Sequence, residues 1–157
     1  MKIRVCTIDK KGKKEIYTPL IEHYQKIAKP FATIELFDIF NNSIAKAQEN
    51  SAELAKLEYE KAFKPYLSGY NVVLDPEAKE LDSYEFSKIF QKSANINFFI
   101  GGAYGFRKDF VKSANLSVSF GKITVSHKLI KVLLMEQIYR GLSIINNHPY
   151  HKGTSNK

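Results

Sequence analysis

Short apolar runs alternate along the whole chain with segments of helical periodicity, and this alternation limits the folds open to it. The runs predict strands at residues 2–8, 33–39, 70–74, 96–100 and 116–120. The segments between and after them predict helices at residues 15–28, 43–63, 83–92, 107–113 and 127–144. Strands separated by helices favour an α/β fold in which a mostly parallel sheet is flanked by helices.

The length and composition are those of one globular domain. The chain has 157 residues, of which 44% are apolar and 25% charged, enough apolar content to bury a core. We expect a single domain over residues 1–152 and a flexible tail over 153–157. The one cysteine, Cys6, lies in an apolar run, which predicts a buried structural thiol in a reducing compartment.

No segment predicts export or membrane insertion. The first residues, MKIRVCTID, are too short and too polar for a signal peptide, and no stretch approaches the roughly 20 apolar residues that a membrane span needs. A membrane-surface helix is not favoured either, because no helix pairs a basic face with a Trp- and Phe-rich one. We therefore expect a cytoplasmic protein without a membrane partner.

The positive charge is concentrated in the last third of the chain. The net charge is +8, and from residue 115 onward the single acid Glu136 stands among six basic residues, Lys122, Lys128, Lys131, Arg140, Lys152 and Lys157. This excess favours a polyanionic partner such as nucleic acid. A second basic cluster, formed by Lys10, Lys11, Lys13 and Lys14, is interpreted as either a solvated loop or a contact with an RNA backbone.

Three predicted strands end in segments suited to a ligand. These are Leu74-Asp75, Gly101-Gly102 and the turn 121–126. In open α/β sheets ligands bind at the carboxyl ends of strands, so three such ends close together would form one pocket. The GGAYG segment is neither a dinucleotide fingerprint nor a phosphate loop, and taken alone a Gly-Gly pair is more often a tight turn.

The last helix and the tail allow two interpretations each. Helix 127–144 is apolar around more than one stripe, so it is either a central helix of one chain or also packs on a second subunit; we expect a homodimer. His148 and His151 in the HPYHK tail are either solvated or placed to stack on a base and contact phosphate. No Cys or nearby carboxylate completes a metal shell there, so no metal is expected.

Three segments carry a resemblance to a known family. They are FIGGAYG, LSVSFGKITVSHKLIKVLLMEQIYRG and HPYHK, between Phe99 and Lys152. The sequence resembles the RlmH family of SPOUT methyltransferases, which methylate N3 of a pseudouridine in the helix 69 loop of large-subunit (23S) ribosomal RNA. The resemblance spans the chain, and the HPYHK ending is its most diagnostic part.

The resemblance implies a C-terminal trefoil knot, a homodimer formed through it, and S-adenosylmethionine bound inside it. The family's cofactor contacts fall on Leu74, Gly102, Gly121, Lys122, Ile123, Thr124, Val125 and Ser126. Two positions depart from the family pattern. Ser126 replaces the usual Pro, which is expected to loosen the loop, and Lys131 replaces the usual Arg, which exchanges a planar fork for a point charge.

The same resemblance suggests which residues meet the target base. We expect Arg140, His148, Tyr150 and His151 at the nucleotide and Lys152 on phosphate. The N3 proton must be lost, so a base or a cation that stabilises the anion is required. A further hypothesis is that the tail of one subunit completes the pocket of the other. The alternatives are a non-enzymatic ribosome- or RNA-binding factor and a SPOUT methyltransferase with another RNA target; an assembled ribosome is the expected substrate.

Overall fold

The computed structural model describes residues 1–10 and 14–153. The strands are β1 (Lys2–Ile8), β2 (Thr33–Ile39), β3 (Tyr70–Leu74), β4 (Asn95–Ile100) and β5 (Leu116–Val118). The α-helices are α1 (Thr18–Ile27), α2 (Asn42–Asn50), α3 (Ala52–Phe63), α4 (Ser83–Ser87), α5 (Lys108–Ser113) and α6 (His127–Ile145). The interpretations that rest on Lys11, Lys13 and residues 154–157 fall outside the described residues.

The five strands form one sheet in the order β2-β1-β4-β3-β5, and every pairing is parallel. Strand β4 is central: Phe98 is paired with Val5 of β1 on one side and with Val72 of β3 on the other. The predicted α/β fold with a mostly parallel sheet flanked by helices is therefore confirmed. Because β3, β4 and β5 are parallel neighbours, their carboxyl ends lie side by side at the same edge of the sheet.

Alternate residues of the strands supply two apolar layers, one on each face of the sheet. Val5 and Phe98 belong to the layer covered by α1, α4 and α6, whereas Cys6 and Phe99 belong to the layer covered by α2, α3 and α5. This alternation follows from the two-residue period of a strand. Cys6 is fully buried, as predicted, and burial raises the pKa of its thiol to about 12, so it remains an unreactive thiol at neutral pH.

Two helix predictions needed correction. The segment 43–63 is not one helix, because Ser51 is extended (φ −160°, ψ 155°) and its hydroxyl accepts the Leu54 N–H, which starts a second helix. Asn41 caps the first of the two, because its side-chain oxygen accepts the Ile44 N–H at 2.8 Å. The predicted helix 83–92 is α4 followed by a 3₁₀ turn over Lys88–Gln91. In the first case a side-chain hydrogen bond ends one helix and starts the next, and in the second the helix tightens into a 3₁₀ turn. Hydrophobic periodicity alone shows neither change, because the apolar pattern continues across both positions.

Helix α6 is apolar on two sides, and residues 1–10 and 14–153 cover only one of them. Leu134, Met135, Ile138 and Leu142 are buried against the sheet and its neighbouring helices, whereas Leu129 and Leu133 are 45% and 47% exposed. A helix buried on one side needs only a single apolar stripe. The exposed leucines therefore mark a surface suited to a further apolar partner.

A glycine sets how closely α6 approaches the segment 83–91. A Cβ added at Gly141 would lie 2.5 Å from a ring carbon of Phe90 and 3.3 Å from the Cα of Ser87. Both residues are buried and are themselves packed in the core, so neither has free space to move into. The close contact holds α6 in place against the sheet.

Gly141→Ala should therefore destabilise the protein. Because the new Cβ would lie only 2.5 Å from Phe90, the overpacking cost should fall in the upper part of the usual range, at about 2–3 kcal/mol. The better helix propensity of alanine returns about 1 kcal/mol, so we expect a net loss of about 1–2 kcal/mol in the free energy of unfolding measured with urea. Glu49→Ala on the exposed side of α2 is the control and should change it by less than about 0.5 kcal/mol. A Gly141→Ala protein as stable as the wild type would contradict the close packing.

Candidate functional site

A cavity of about 360 Å³ lies at the carboxyl ends of β3, β4 and β5. Its volume falls within the range of small-molecule sites. Of the eight residues expected to hold a cofactor, seven line it: Leu74, Gly102, Gly121, Ile123, Thr124, Val125 and Ser126. Lys122 does not line the cavity and its side chain is exposed. The three strand ends identified in the sequence thus meet at one place.

Glycines shape two of the three segments. In the glycine loop (residues 101–105), the Gly105 N–H donates to the Gly102 carbonyl at 3.1 Å, and Gly105 has a φ of +72°. Gly121 turns the chain out of β5 with a φ of +126°. Residues with a Cβ rarely adopt these values. A Cβ on Gly102 would also lie 2.5 Å from the ring and hydroxyl of Tyr59, so the loop packs directly on that tyrosine.

Ser119 fixes the turn after β5, a role that the sequence did not indicate. Its hydroxyl is buried, accepts the Gly121 N–H at 3.0 Å and reaches the carbonyl oxygens of Pro76 and Gly121 at 3.1 and 3.0 Å. Either carbonyl can accept its proton. The turn at Gly121 is therefore fastened to the segment that follows β3, which keeps two walls of the cavity together.

Ser126 has a defined role at the start of α6. Its hydroxyl accepts the Lys128 N–H at 3.3 Å and forms the N-cap of the helix. Serine is among the residues preferred at this position because its oxygen satisfies a helix N–H that lacks a partner. Ser126 stands where the family usually has Pro, a replacement expected to loosen the loop. The capping bond of the serine hydroxyl, which Pro could not make, opposes that loosening.

The walls of the cavity combine apolar surface with a few polar groups. Phe106, Phe120, Ile130 and Leu133 supply apolar surface, and Asp75, Thr124 and His127 supply polar side chains. This division suits a ligand that has a flat apolar part and a polar part. Sequence reasoning named Asp75 and Thr124 but missed the other five wall residues, because each is ordinary by itself and is brought to the cavity only by the fold.

An ion-pair network lies beside the start of α6. Lys128 contacts Asp9 at 3.1 Å and Glu15 at 2.5 Å, and the His127 Nε2 is 3.7 Å from Asp9. Burial would raise the pKa of the Asp9 carboxyl, but the hydrogen bond and charge of Lys128 outweigh burial and hold that pKa below its usual range. This network ties α6 to the end of β1.

Lys131, the second departure from the family pattern, makes an internal contact. It is 6% exposed, and its Nζ lies 2.5 Å from Asp38 at the end of β2. A single Nζ–carboxylate contact is what a point charge can form, and removing either partner of a buried pair leaves the other uncompensated. The side chain therefore joins α6 to the sheet and does not face the cavity.

Side chains of α6 and of the tail meet at Glu136, the single acid of the last third. We call Glu136, Arg140, Tyr150 and His151 the tail cluster. Its carboxylate accepts from Arg140 at 2.7 and 3.2 Å, from the Tyr150 hydroxyl at 2.8 Å and from Gln137 at 2.8 Å. The Arg140 guanidinium also lies 4.8 Å from the centre of the Tyr150 ring. The spacing of Glu136 and Arg140, four residues apart on a helix, was a readable signal for this pair, but it does not reveal that Tyr150 returns to it.

The histidines of the tail occupy different positions. The His151 Nδ1 is 3.0 Å from Arg140, which has only donors, so this nitrogen accepts and the neutral ring carries its proton on Nε2. That Nε2 is buried and has no hydrogen-bond partner among the described residues. His148 is exposed, packs its ring edge against Phe31 and Tyr139, and accepts the Tyr150 N–H at 3.3 Å. Lys152 is exposed and has no ion-pair partner within residues 1–10 and 14–153.

The pKa values of Glu136 and of Tyr150 are both shifted from their usual ranges. Burial would raise the pKa of Glu136, but hydrogen bonds from Arg140 and Tyr150 lower it below its usual value. Burial and the bond to Glu136 together raise the pKa of the Tyr150 hydroxyl well above its usual value. Glu136 is therefore ionised and Tyr150 protonated at neutral pH, which leaves neither free to remove a proton from a substrate.

The tail cluster and the cavity are separate within one chain. None of Glu136, Arg140, Tyr150 and His151 lines the cavity. The cavity is lined by the first turns of α6, up to Leu133, and Arg140 lies seven residues further along, about 10 Å at 1.5 Å per residue. Within one chain, these four residues therefore do not contact a ligand that stays within the cavity. A reaction that needs both the cavity and these residues cannot use the two as a single chain arranges them.

Neither a metal centre nor a membrane span is found in the part of the chain that the structure describes. No group of three or more His, Cys, Asp or Glu side chains there could hold a metal ion. No helix there is long and apolar enough to cross a membrane.

Comparison with known proteins gives consistent results. Residues 1–151 match the protein family described as "Predicted SPOUT methyltransferase". A protein of Sulfurovum sp. named "Ribosomal RNA large subunit methyltransferase H" is 60% identical over 153 residues, covering 97% of this chain and all of that protein. A protein of the same name from Wolinella succinogenes is 51% identical over 156 residues with the same coverage. A crystal structure described as that of a candidate RNA methyltransferase from Bacillus anthracis has a TM-score of 0.53 at 10% identity, covers 99% of this chain and all of its own, and supports the fold alone.

Glu136→Gln should loosen the tail in a pH-dependent way. The change removes the charge that Arg140 and Tyr150 share, so the free energy of unfolding at pH 7 should fall by about 1–3 kcal/mol. Because the pKa of Glu136 lies below 4.5 in the folded protein, the wild type keeps this advantage above pH 4.5 and loses it as the pH falls through the folded-state pKa. Urea unfolding between pH 3 and pH 7 measures the difference.

The control for that change is Glu22→Gln, which neutralises an exposed acid on α1. Its effect should stay below about 0.5 kcal/mol across the same pH range. A Glu136→Gln protein that is as stable as this control at pH 7 would contradict the role of Glu136 as the centre of the cluster.

Proposed function

Because the chain belongs to the SPOUT methyltransferases and, within them, to the RlmH family, we propose that it is an S-adenosylmethionine-dependent methyltransferase that acts on N3 of a pseudouridine in the helix 69 loop of 23S ribosomal RNA. The observation that carries the proposal is the cavity at the ends of β3, β4 and β5, lined by seven of the eight residues at the family's cofactor positions. The full-length relatives named as ribosomal RNA methyltransferases support the same substrate class.

The residues of the cavity suit S-adenosylmethionine. The apolar side chains of Leu74, Phe120 and Ile130 are adapted to the adenine ring, and the backbone groups at Gly102 and around Thr124 are adapted to its polar parts. A Cβ on Gly102 would meet the side chain of Tyr59, so only glycine lets the backbone of the loop lie this close to α3. When bound, this cofactor supplies a methyl group activated by its sulfonium. The task of the protein is then mainly to align that group with N3 of the base.

The electrostatics of the tail favour a cation, and not a side-chain base, as the means of handling the N3 proton. Glu136 is saturated by donors, Tyr150 keeps its proton, and the Nδ1 atoms of His151 and His148 already accept from Arg140 and from the Tyr150 N–H. Arg140 is charged at every accessible pH, and Lys152, next to His151 in the sequence, is exposed. We propose that the N3 proton passes to solvent water and that Arg140 stabilises the anion formed at the base. The His151 Nε2–H, which has no partner among the described residues, donates to this anion, Tyr150 and His148 position the base, and Lys152 contacts phosphate.

A homodimer would bring the cavity and the tail together. The exposed Leu129 and Leu133 on α6, together with Ile123 at 81% exposure, give the cavity end of the chain an apolar surface for a second copy. Since the tail does not line the cavity of its own chain, we propose that each tail completes the site of the partner. The proposal includes a single domain over residues 1–152 with the trefoil knot of the family, working in the cytoplasm on assembled ribosomes.

Mixed dimers test the shared site. One subunit carries Gly102→Val, whose side chain would collide with Tyr59. The other subunit carries His151→Ala. If cavity and tail act between subunits, one of the two sites has both parts intact, and the mixed dimer should keep about half of the wild-type activity. If they act within a subunit, both sites are damaged and activity should be lost. Each variant as a homodimer is the control and should be inactive in both cases.

The main alternative is a ribosome-binding factor that uses the same basic surface without a cofactor. Isothermal titration calorimetry with S-adenosylmethionine separates the two. We expect saturable binding to the wild type and at least about tenfold weaker binding to Gly102→Val, because the new side chain overlaps Tyr59. Absence of binding to the wild type, with and without ribosomes, would contradict the enzyme proposal. A methyltransferase with another RNA target would bind the cofactor but modify a different nucleotide.

A further inference from the structure

Tyr59 of α3 lies outside the cavity, yet it contacts the loop that forms one wall. Its side chain is fully buried, and it is not among the residues that line the cavity. We infer that Tyr59, held by Gln48 of α2, is a positioning residue that keeps the glycine loop in its ligand-binding shape. The inference rests on the proposed function for its ligand, S-adenosylmethionine, but its geometry concerns the loop alone.

The first contact is between the ring and Gly102. A Cβ at this glycine would lie 2.5 Å from both the Cζ and the hydroxyl oxygen of Tyr59. Contacts below 3.0 Å are not tolerated, so the backbone of the loop already rests on the phenol as closely as a residue without a side chain allows. Tyr59 therefore sets the depth of the loop at Gly102, which is itself a lining residue of the cavity.

The second contact involves the hydroxyl group of Tyr59. It donates to the Gln48 Oε1 at 2.5 Å, which directs the oxygen lone pairs away from Gln48. The backbone N–H groups of Tyr104 and Ala103 interact with the same oxygen. These two residues are the centre of the turn closed by Gly105 and Gly102, where the turn itself offers the inner N–H groups no carbonyl partner. We infer that the phenol oxygen is the partner of these N–H groups.

Gln48 adds a further link to the same loop. Its backbone carbonyl accepts the Tyr104 hydroxyl at 3.4 Å, a long bond, while its side chain accepts from Tyr59. Helices α2 and α3 pack against each other and against the face of the sheet opposite α6. The hairpin of α2 and α3 thus supports the glycine loop from the side away from α6, and a loose loop would have to be ordered again each time a ligand binds.

The test is to remove the hydroxyl and keep the ring with Tyr59→Phe. Hydrogen exchange monitored by NMR should show the Ala103 and Tyr104 amides of the ligand-free protein exchanging faster by at least about fivefold, since their partner is lost. The dissociation constant for S-adenosylmethionine, measured by calorimetry, should rise by a similar factor. Turnover at saturating cofactor should change less than the KM for the cofactor, because Tyr59 does not touch the reacting atoms.

Two further variants make the test specific. Gln48→Leu removes the acceptor of the Tyr59 hydroxyl. Like Tyr59→Phe, it should speed amide exchange at Ala103 and Tyr104 and raise the dissociation constant for S-adenosylmethionine. The effects of the two changes should be less than additive when they are combined. Tyr66→Phe is the matched control: it deletes a hydroxyl in the same helical layer, where Tyr66 packs on Phe37, and should leave both quantities within about twofold. If Tyr59→Phe does not fold by circular dichroism, Gln48→Leu, on a partly buried site, takes its place.

The outcomes separate this inference from the proposed function. If Tyr59→Phe and Gln48→Leu lower only the melting temperature, with amide exchange and cofactor affinity unchanged, Tyr59 is an ordinary core residue and the inference is overturned. If the wild type binds no S-adenosylmethionine, the proposed function fails, and amide exchange in the ligand-free protein still decides whether Tyr59 holds the loop.

Discussion

The close packing of α6 against the sheet is the constraint on which both the cavity and the cluster around Glu136 depend. The first turns of the helix form a wall of the cavity, and its later turns carry Glu136 and Arg140. A helix of 19 residues is about 28 Å long and rigid over that length. Gly141 near one end and the Lys128 and Lys131 ion pairs near the other fix where it lies, so the spacing between the cavity and the tail is set by one element.

The basic residues of the last third of the chain fall into two groups, those in internal ion pairs and those near the tail. Lys128 and Lys131 pair with Asp9, Glu15 and Asp38 and are structural, although in the sequence they contribute to the apparent basic patch. Arg140 is divided between Glu136 and His151, and Lys152 has no ion-pair partner in the described part of the chain. Within the described part of the last third, the positive charge that could meet a polyanion is therefore limited to Lys122, Arg140 and Lys152.

Much of the fold was readable from the sequence, because parallel strands buried on both faces appear as short apolar runs. The runs at Tyr70–Leu74 and around Phe98 predicted β3 and β4, and the strand ends at Leu74, Gly102 and Gly121 indicated one pocket. Periodicity failed at Ser51, where a local capping bond ends one helix and begins the next. It could not reveal the contact of Gly102 with Tyr59, which joins residues 43 positions apart. The specific reaction came from the family resemblance and not from composition or spacing.

The proposed reaction transfers a methyl group to N3 of a pseudouridine in the helix 69 loop. The most direct measurement uses ribosomes isolated from cells that lack this gene, incubated with the purified protein and S-adenosylmethionine, followed by mass mapping of the 23S ribosomal RNA. We predict one added methyl group on one pseudouridine of that loop, dependent on the cofactor. Ribosomes that remain unmethylated, or a methyl group on a nucleotide outside the helix 69 loop, would contradict this reaction.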